Sequence, residues 1–126
     1  MKRLDLINKI IERKKQLGIT IENLAQLSGV SPRTINRVLQ NEDVKLSTIE
    51  ALTEFLGLDF AGNEVVSFKD LQKSRAHEKA LFLASIVQGT SALEMQGLED
   101  DGIKNIISMY EKEFLYGEYK QTLWVA

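Results

Sequence analysis

The chain holds no cysteine, one proline, one histidine and eight glycines among 126 residues. Without cysteine there is no disulfide scaffold and no thiolate zinc site, an absence that fits a cytoplasmic protein. The single histidine, His77, stands between Glu78 and Lys79 on a helical stretch. A metal site or a histidine-based triad needs partners at spacings that this stretch does not supply. His77 therefore reads as a surface or interface residue. No glycine loop of the kind that cradles phosphates occurs. These absences point away from an enzyme and imply no cofactor and no metal. The longest apolar run, Ala80 to Val87, includes Ser85 and is far too short to cross a bilayer. At the start, Asp5, Asn8, Lys9 and Glu12 interrupt any apolar segment, so no signal peptide is read there. The expectation is a soluble, cytoplasmic protein with no membrane partner.

Charge of one sign is also scarce. The net charge is −2. Residues 1–60 carry nine Lys or Arg against eight Asp or Glu, a net of +1, and residues 61–126 carry seven against ten, a net of −3. Any contact with a polyanion must then depend on where the charges sit. The acidic second half is a poor candidate for it.

What is present is helical periodicity along the whole chain, with no sustained alternation of period two. Val65-Val66 is the best strand candidate and is too short to count. The first helix is expected from about Leu4 to Leu17, with Leu6, Ile7, Ile10, Ile11 and Leu17 as its apolar side and Lys9, Arg13 and Lys14 between them. Gly18 is a left-handed stop. Thr20 caps a second helix holding Leu24, Ala25 and Leu27, which ends at Gly29. Ser31 caps a third, with Pro32 in its first turn, where a missing N–H is harmless. Ile35, Val38 and Leu39 form its inner face, and Asn41-Glu42-Asp43 breaks the chain. Ser47 and Glu50 read as a capping box for a fourth helix with Ile49, Leu52 and Leu56 as its stripe and Gly57 as its stop. Ala61-Gly62-Asn63 is the one plausible linker, dividing a first domain, residues 1–60, from a second, residues 64–126.

In the second half, Ser67 with Asp70 caps a long helix to about Val87. Its stripe is Leu71, Ala76, Ala80, Leu83, Ala84 and Val87. With Phe82 and Ile86 beside that stripe, the end of the helix is apolar nearly all round and is expected to be buried on several sides. Gly89 stops it, and Thr90 or Ser91 caps a short helix with Leu93 and Met95, ended by Gly97. A last helix from about Asp100 presents Ile103, Ile106, Ile107, Tyr110 and Phe114, with Glu99 to Asp101 suiting its dipole. Gly117 ends it, and the tail holds Tyr119, Leu123 and Trp124. The fold class is all-α.

The spacing around Gly29 is the informative motif. Small Ala25 lets two helices approach, Gly29 supplies a positive φ, and Val30, Ile35 and Val38 lock the following helix in place. Two helices crossing at about 90–120° over a short turn make a helix-turn-helix. Here the segment from Leu17 to Asn41, LGITIENLAQLSGVSPRTINRVLQN, resembles the Xre/Cro, lambda-repressor-like family, and Leu46 to Leu52 resembles that family's fourth helix. The resemblance implies a DNA-binding head whose recognition helix, Ser31–Gln40, enters the major groove of an operator duplex. On it Arg33, Asn36 and Arg37 stand opposite Ile35 and Val38. Arg pairs with guanine O6 and N7, and Asn with adenine N6 and N7. Thr34, Gln40 and Lys45 are placed for phosphates, as are the N–H groups at Thr20. Ser31, Pro32 and Asn41 complete the candidate DNA-binding set. Two positions depart from the family's pattern. Ile21 stands where Gln is frequent, and Gln40-Asn41-Glu42-Asp43 replaces Glu-Asn-Gly, putting two acids near the phosphates. These departures lower the expected affinity of a single head and leave its docking mode unchanged.

One such head reads about half a site, so a homodimer is expected. The second half is a helical region for dimerisation or partner binding, with Phe82, Ile86, Tyr110, Phe114 and Trp124 as candidate interface anchors. The alternative for these five is the core of their own unit. The general plan fits a repressor of its own operon. It equally fits an antitoxin that neutralises a basic toxin through its acidic half, with DNA binding as autoregulation. A ligand-responsive repressor, with a pocket between helices 68–87 and 103–116, is a further alternative.

Overall fold

The computed structural model describes residues 3–97 and 101–126. Within them the chain forms α1 (Arg3–Leu17), α2 (Ile21–Ser28), α3 (Pro32–Leu39), α4 (Leu46–Leu56), α5 (Phe68–Gln88), α6 (Ala92–Gln96) and α7 (Asp101–Tyr116), followed by one 3-10 turn, Lys120–Thr122. The fold is all-α. Among the described residues the only extended pairing is an isolated bridge between Leu58 and Glu64. Glu99 and Asp100, expected to lead the last helix, lie outside the described residues. The chain divides into two compact units, the first ending at Leu71 and the second spanning Gln72–Val125.

In the first unit α1 packs on α3 and α4, and α2 packs on α3 and α4. Ile7, Ile10, Leu24, Ile35, Val38, Leu52 and Leu56 are buried to completion or nearly so. Burial of each such side chain contributes about 1.5–3 kcal/mol relative to exposure. The helix limits follow local chemistry. The Thr20 hydroxyl accepts from the Asn23 N–H at 3.1 Å, and Gly29 closes α2 at φ 77°. Gly57 closes α4 at φ 72°, where an added Cβ would lie 3.0 Å from the Val66 carbonyl oxygen.

Three expectations are corrected in this unit. α4 starts at Leu46, with Lys45 as its cap residue and no side-chain cap bond, so Ser47 and Glu50 form no capping box. The helix opens two residues earlier because the Thr48 N–H already bonds the Lys45 carbonyl at 3.0 Å, which places Ser47 inside the first turn. Ala61–Asn63 is a hydrogen-bonded turn within the unit and not a free linker. The Asp59 carboxylate accepts from the N–H groups of Ala61 and Asn63 at 2.9 and 2.8 Å. Gly62 sits against the stem of Lys9, where a Cβ would fall 2.8 Å from Cγ. Arg13, read with Lys9 and Lys14 as lying between the apolar residues of α1, is itself buried. Its guanidinium meets Glu64 at 2.9 Å, and the same carboxylate oxygen accepts from the Phe68 N–H at 3.2 Å.

The second unit is built on small residues. Ala76, Ala80 and Ala84 along α5 have no exposed surface, and Ala80, Leu81 and Ala84 cluster with Met95 and Ile107, flanked by Ile103, Ile106 and Tyr110. The tail folds back on α5. Arg75 donates to the carbonyls of Leu123 and Val125 at 2.9 and 2.8 Å, and Lys79 donates to that of Thr122. Lys79 also lies 5.5 Å from the centre of the Phe114 ring. Burial, reinforced by the nearby Arg75 guanidinium, holds the Lys79 ammonium below the ordinary lysine value. The all-round burial expected at the end of α5 is not what forms. Phe82, Ile86 and Val87 are exposed, because it is Ala80, Leu81 and Ala84 that face Met95 of α6 and Ile107 of α7.

Candidate nucleic-acid interface

α3 is positioned by both of its ends. At the start, the Ser31 hydroxyl accepts from the Thr34 N–H at 3.2 Å and donates to the Thr34 hydroxyl at 2.8 Å, with Pro32 in the first turn. At the end, the Glu42 N–H bonds the Arg37 carbonyl at 2.9 Å, and Asn41 takes the left-handed conformation at φ 59°. Between these ends Ile35 and Val38 are wholly buried and Leu39 is half-buried. Their burial fixes the rotation of the helix about its axis. Arg33, Asn36, Arg37 and Gln40 follow at i, i+3, i+4 and i+7 and are all exposed, forming one outward stripe.

The other candidate contacts surround this stripe. Thr20, Ser31, Pro32, Asn41 and Lys45 are exposed, and Thr34 is half-buried. Ser47, read from the sequence only as a cap, and Thr48, which sequence reading did not single out, line a polar hollow of about 310 Å³ with Ser28, Ser31 and Thr34 beside the turn. Ile21, the residue that departs from the family's pattern, is half-buried.

The turn after the recognition helix is tied by two arginines. Arg37 Nη2 donates to the Asp43 carbonyl at 2.8 Å. Arg3 Nη1 meets the Asp43 carboxylate at 2.9 Å, and Arg3 Nη2 donates to the Glu42 carbonyl. Arg3 had no signal in the motif spacing, because its partners lie about forty positions away.

The five anchors proposed for an interface separate into two groups. Phe82 and Ile86, one turn apart on α5, are 62% and 60% exposed. Phe114 and Trp124 are each only 7% exposed, inside the second unit, and Tyr110 packs partly against its core. His77 pairs with Glu111 at 2.7 Å, joining α5 to α7. An open hollow of about 300 Å³ lies between these helices, lined by His77, Leu81, Met95, Lys104, Ile107 and Glu111 among others. Among the described residues no three His, Cys, Asp or Glu side chains converge as metal ligands. No helix among them is long and apolar enough to cross a membrane.

Comparison with protein families gives a match between residues 10–63 and the family described as helix-turn-helix. Comparisons with curated proteins and with solved structures give no match. The matched segment runs from the middle of α1 to the Asp59–Asn63 turn and contains the whole outward stripe of α3. Residues 10–63 thus form a helix-turn-helix domain, and the match supports the DNA-binding Xre, or lambda-repressor-like, family for this segment.

Proposed function

We propose that the protein is a sequence-specific transcriptional repressor of its own operon, binding operator DNA as a homodimer. Arg33, Asn36 and Arg37 read base edges in the major groove. Thr20, Thr34, Gln40 and Lys45 hold phosphates and set the register. The observation that carries this reading is the polarity of α3. Its inner face is closed by Ile35 and Val38, so its outward stripe is rigidly presented and consists of base-reading side chains. Pairing of two heads follows from the half-site that one head covers. Phe82 and Ile86, with Val87 beside them, are exposed apolar side chains on α5 available to make the pair.

Selection of duplexes from a random pool tests the base reading. The wild-type chain should enrich a two-fold symmetric sequence. Arg33→Ala should lose about ten- to a hundredfold in affinity for it, equivalent to the loss of one bidentate base contact, with unchanged circular dichroism. Equal affinity of Arg33→Ala at fixed salt would reject the assigned reading face. Co-expression with the neighbouring gene product separates the antitoxin alternative. A stable complex that relieves toxicity would replace autoregulation as the main role.

A further inference from the structure

The Asn41–Asp43 turn has two opposed properties. Its backbone supports the DNA-reading face, because the Asp43 carbonyl holds the Arg37 guanidinium at 2.8 Å and the Glu42 N–H closes the end of α3. Its side chains oppose DNA. The Asp43 carboxylate is fully exposed, directly after the helix that approaches the phosphates. A bare carboxylate there repels the duplex that Arg37 is meant to read.

We propose that Arg3 is a further determinant of DNA affinity, acting as the counter-charge and clasp of this turn. Its guanidinium makes two contacts with the turn, one to the Asp43 carboxylate at 2.9 Å and one to the Glu42 carbonyl. The first contact cancels the repelling charge. The second fixes the turn whose Asp43 carbonyl holds the Arg37 guanidinium. Arg3 thus works through Asp43 and Arg37 as a positioning residue. It lies outside the segment matched by the family, residues 10–63. An exposed ion pair adds little to folding, so the value of this one lies in binding. The inference rests on the reading of α3 as the DNA-contacting helix.

The test uses the full chain and fluorescence anisotropy on the duplex that the wild type enriches most from a random pool. Arg3→Ala should bind about fivefold more weakly at about 50 mM salt, the effect of one uncancelled charge near phosphate. That deficit should shrink at about 200 mM salt as screening lengths fall. Arg3→Ala combined with Asp43→Asn should return to within about twofold of wild type, since the repelling charge is then gone. Arg3→Lys should retain most of the affinity by preserving the charge. Binding of Arg3→Ala within twofold of wild type at low salt overturns the proposal. So does a double variant as weak as Arg3→Ala, or a fall in melting temperature with unchanged salt dependence. Arg37→Ala, titrated alongside, separates the two levels of argument. If it loses binding while Arg3→Ala does not, only the role of Arg3 fails. If Arg37→Ala binds like wild type, the reading of α3 fails with it.

Discussion

The first and second units bury helix faces of similar length with different materials. In the first, the closed positions are large: Ile7, Ile10, Leu24, Ile35, Leu52 and Leu56. In the second, the positions on α5 with no exposed surface are Ala76, Ala80 and Ala84, while Phe82, Ile86 and Val87 of the same helix face outward. A core of large side chains fixes helix rotation, because a turn of even part of a residue opens voids. That rigidity is what a reading helix needs. An alanine seam permits close approach and leaves the large apolar groups of the helix for some other surface. Both units leave some large apolar side chains in solvent, Leu46 and Phe60 in the first and Phe82 and Ile86 in the second, so the contrast lies in how each buried helix face is fixed.

The largest expected effect exploits that difference directly. Leu52→Ala should destabilise the protein by about 2–5 kcal/mol, since it opens a cavity among closed neighbours. Phe82→Ala, a larger truncation, should change the stability of the dilute monomer by about 0.5 kcal/mol or less, because the ring is already in water. Chemical denaturation at low protein concentration checks both. A loss at Phe82 comparable to that at Leu52 would show that the ring is covered, and the contrast between the units would collapse.

The next prediction concerns what covers the exposed face. In the proposed homodimer, Phe82→Glu with Ile86→Glu places charges where two copies meet. Sedimentation should show a monomer, and operator affinity should fall on the order of a hundredfold as bivalency is lost. The isolated head should keep its fold by circular dichroism. An unchanged mass and affinity would assign pairing to another surface and leave Phe82 and Ile86 to a different partner.

How much of this was legible in the sequence follows the range of the signals. Caps and stops act within one turn, and Thr20, Ser31, Ser67 and Ser91 all cap where their spacing placed them. The inner face of α3 was equally plain, as Ile35 and Val38 recur at helical spacing. The Ser47–Glu50 box failed locally, because α4 opens at Leu46, but the missed ion pairs are non-local. Arg13 pairs with Glu64 fifty-one positions away, and Arg3 reaches Asp43 across forty. No periodicity encodes such partners. Composition misled at α5, where an apolar run read as buried on several sides meets its neighbours along one face, Ala80, Leu81 and Ala84. The Ala61–Asn63 segment looked like a linker because glycine and asparagine serve tight turns and free chain alike. Asp59, which ties the turn, gave no sign of that role.

The smallest predicted effects concern the caps and contrast the units once more. Ser31→Ala should cost about 1 kcal/mol, because it removes the bond to the Thr34 N–H and the hydroxyl contact to the same residue at the start of a helix wedged by two buried side chains. Ser91→Ala removes a similar bond, to the Glu94 N–H at 3.1 Å. It caps a helix of five residues with one closed anchor, Met95, and Leu93 largely in solvent. Loss there should be absorbed locally, with about 0.5 kcal/mol of global stability lost and faster amide exchange confined to the short helix. Ser47→Ala supplies the control. Ser47 makes no cap bond, since α4 opens at Leu46, so its replacement should lie within about 0.5 kcal/mol of wild type. Equal costs at Ser31 and Ser91 would mean that the second unit holds its short helix as firmly as the head holds its reading helix. A cost at Ser47 matching that at Ser31 would move the start of α4 back to the box that its sequence spells.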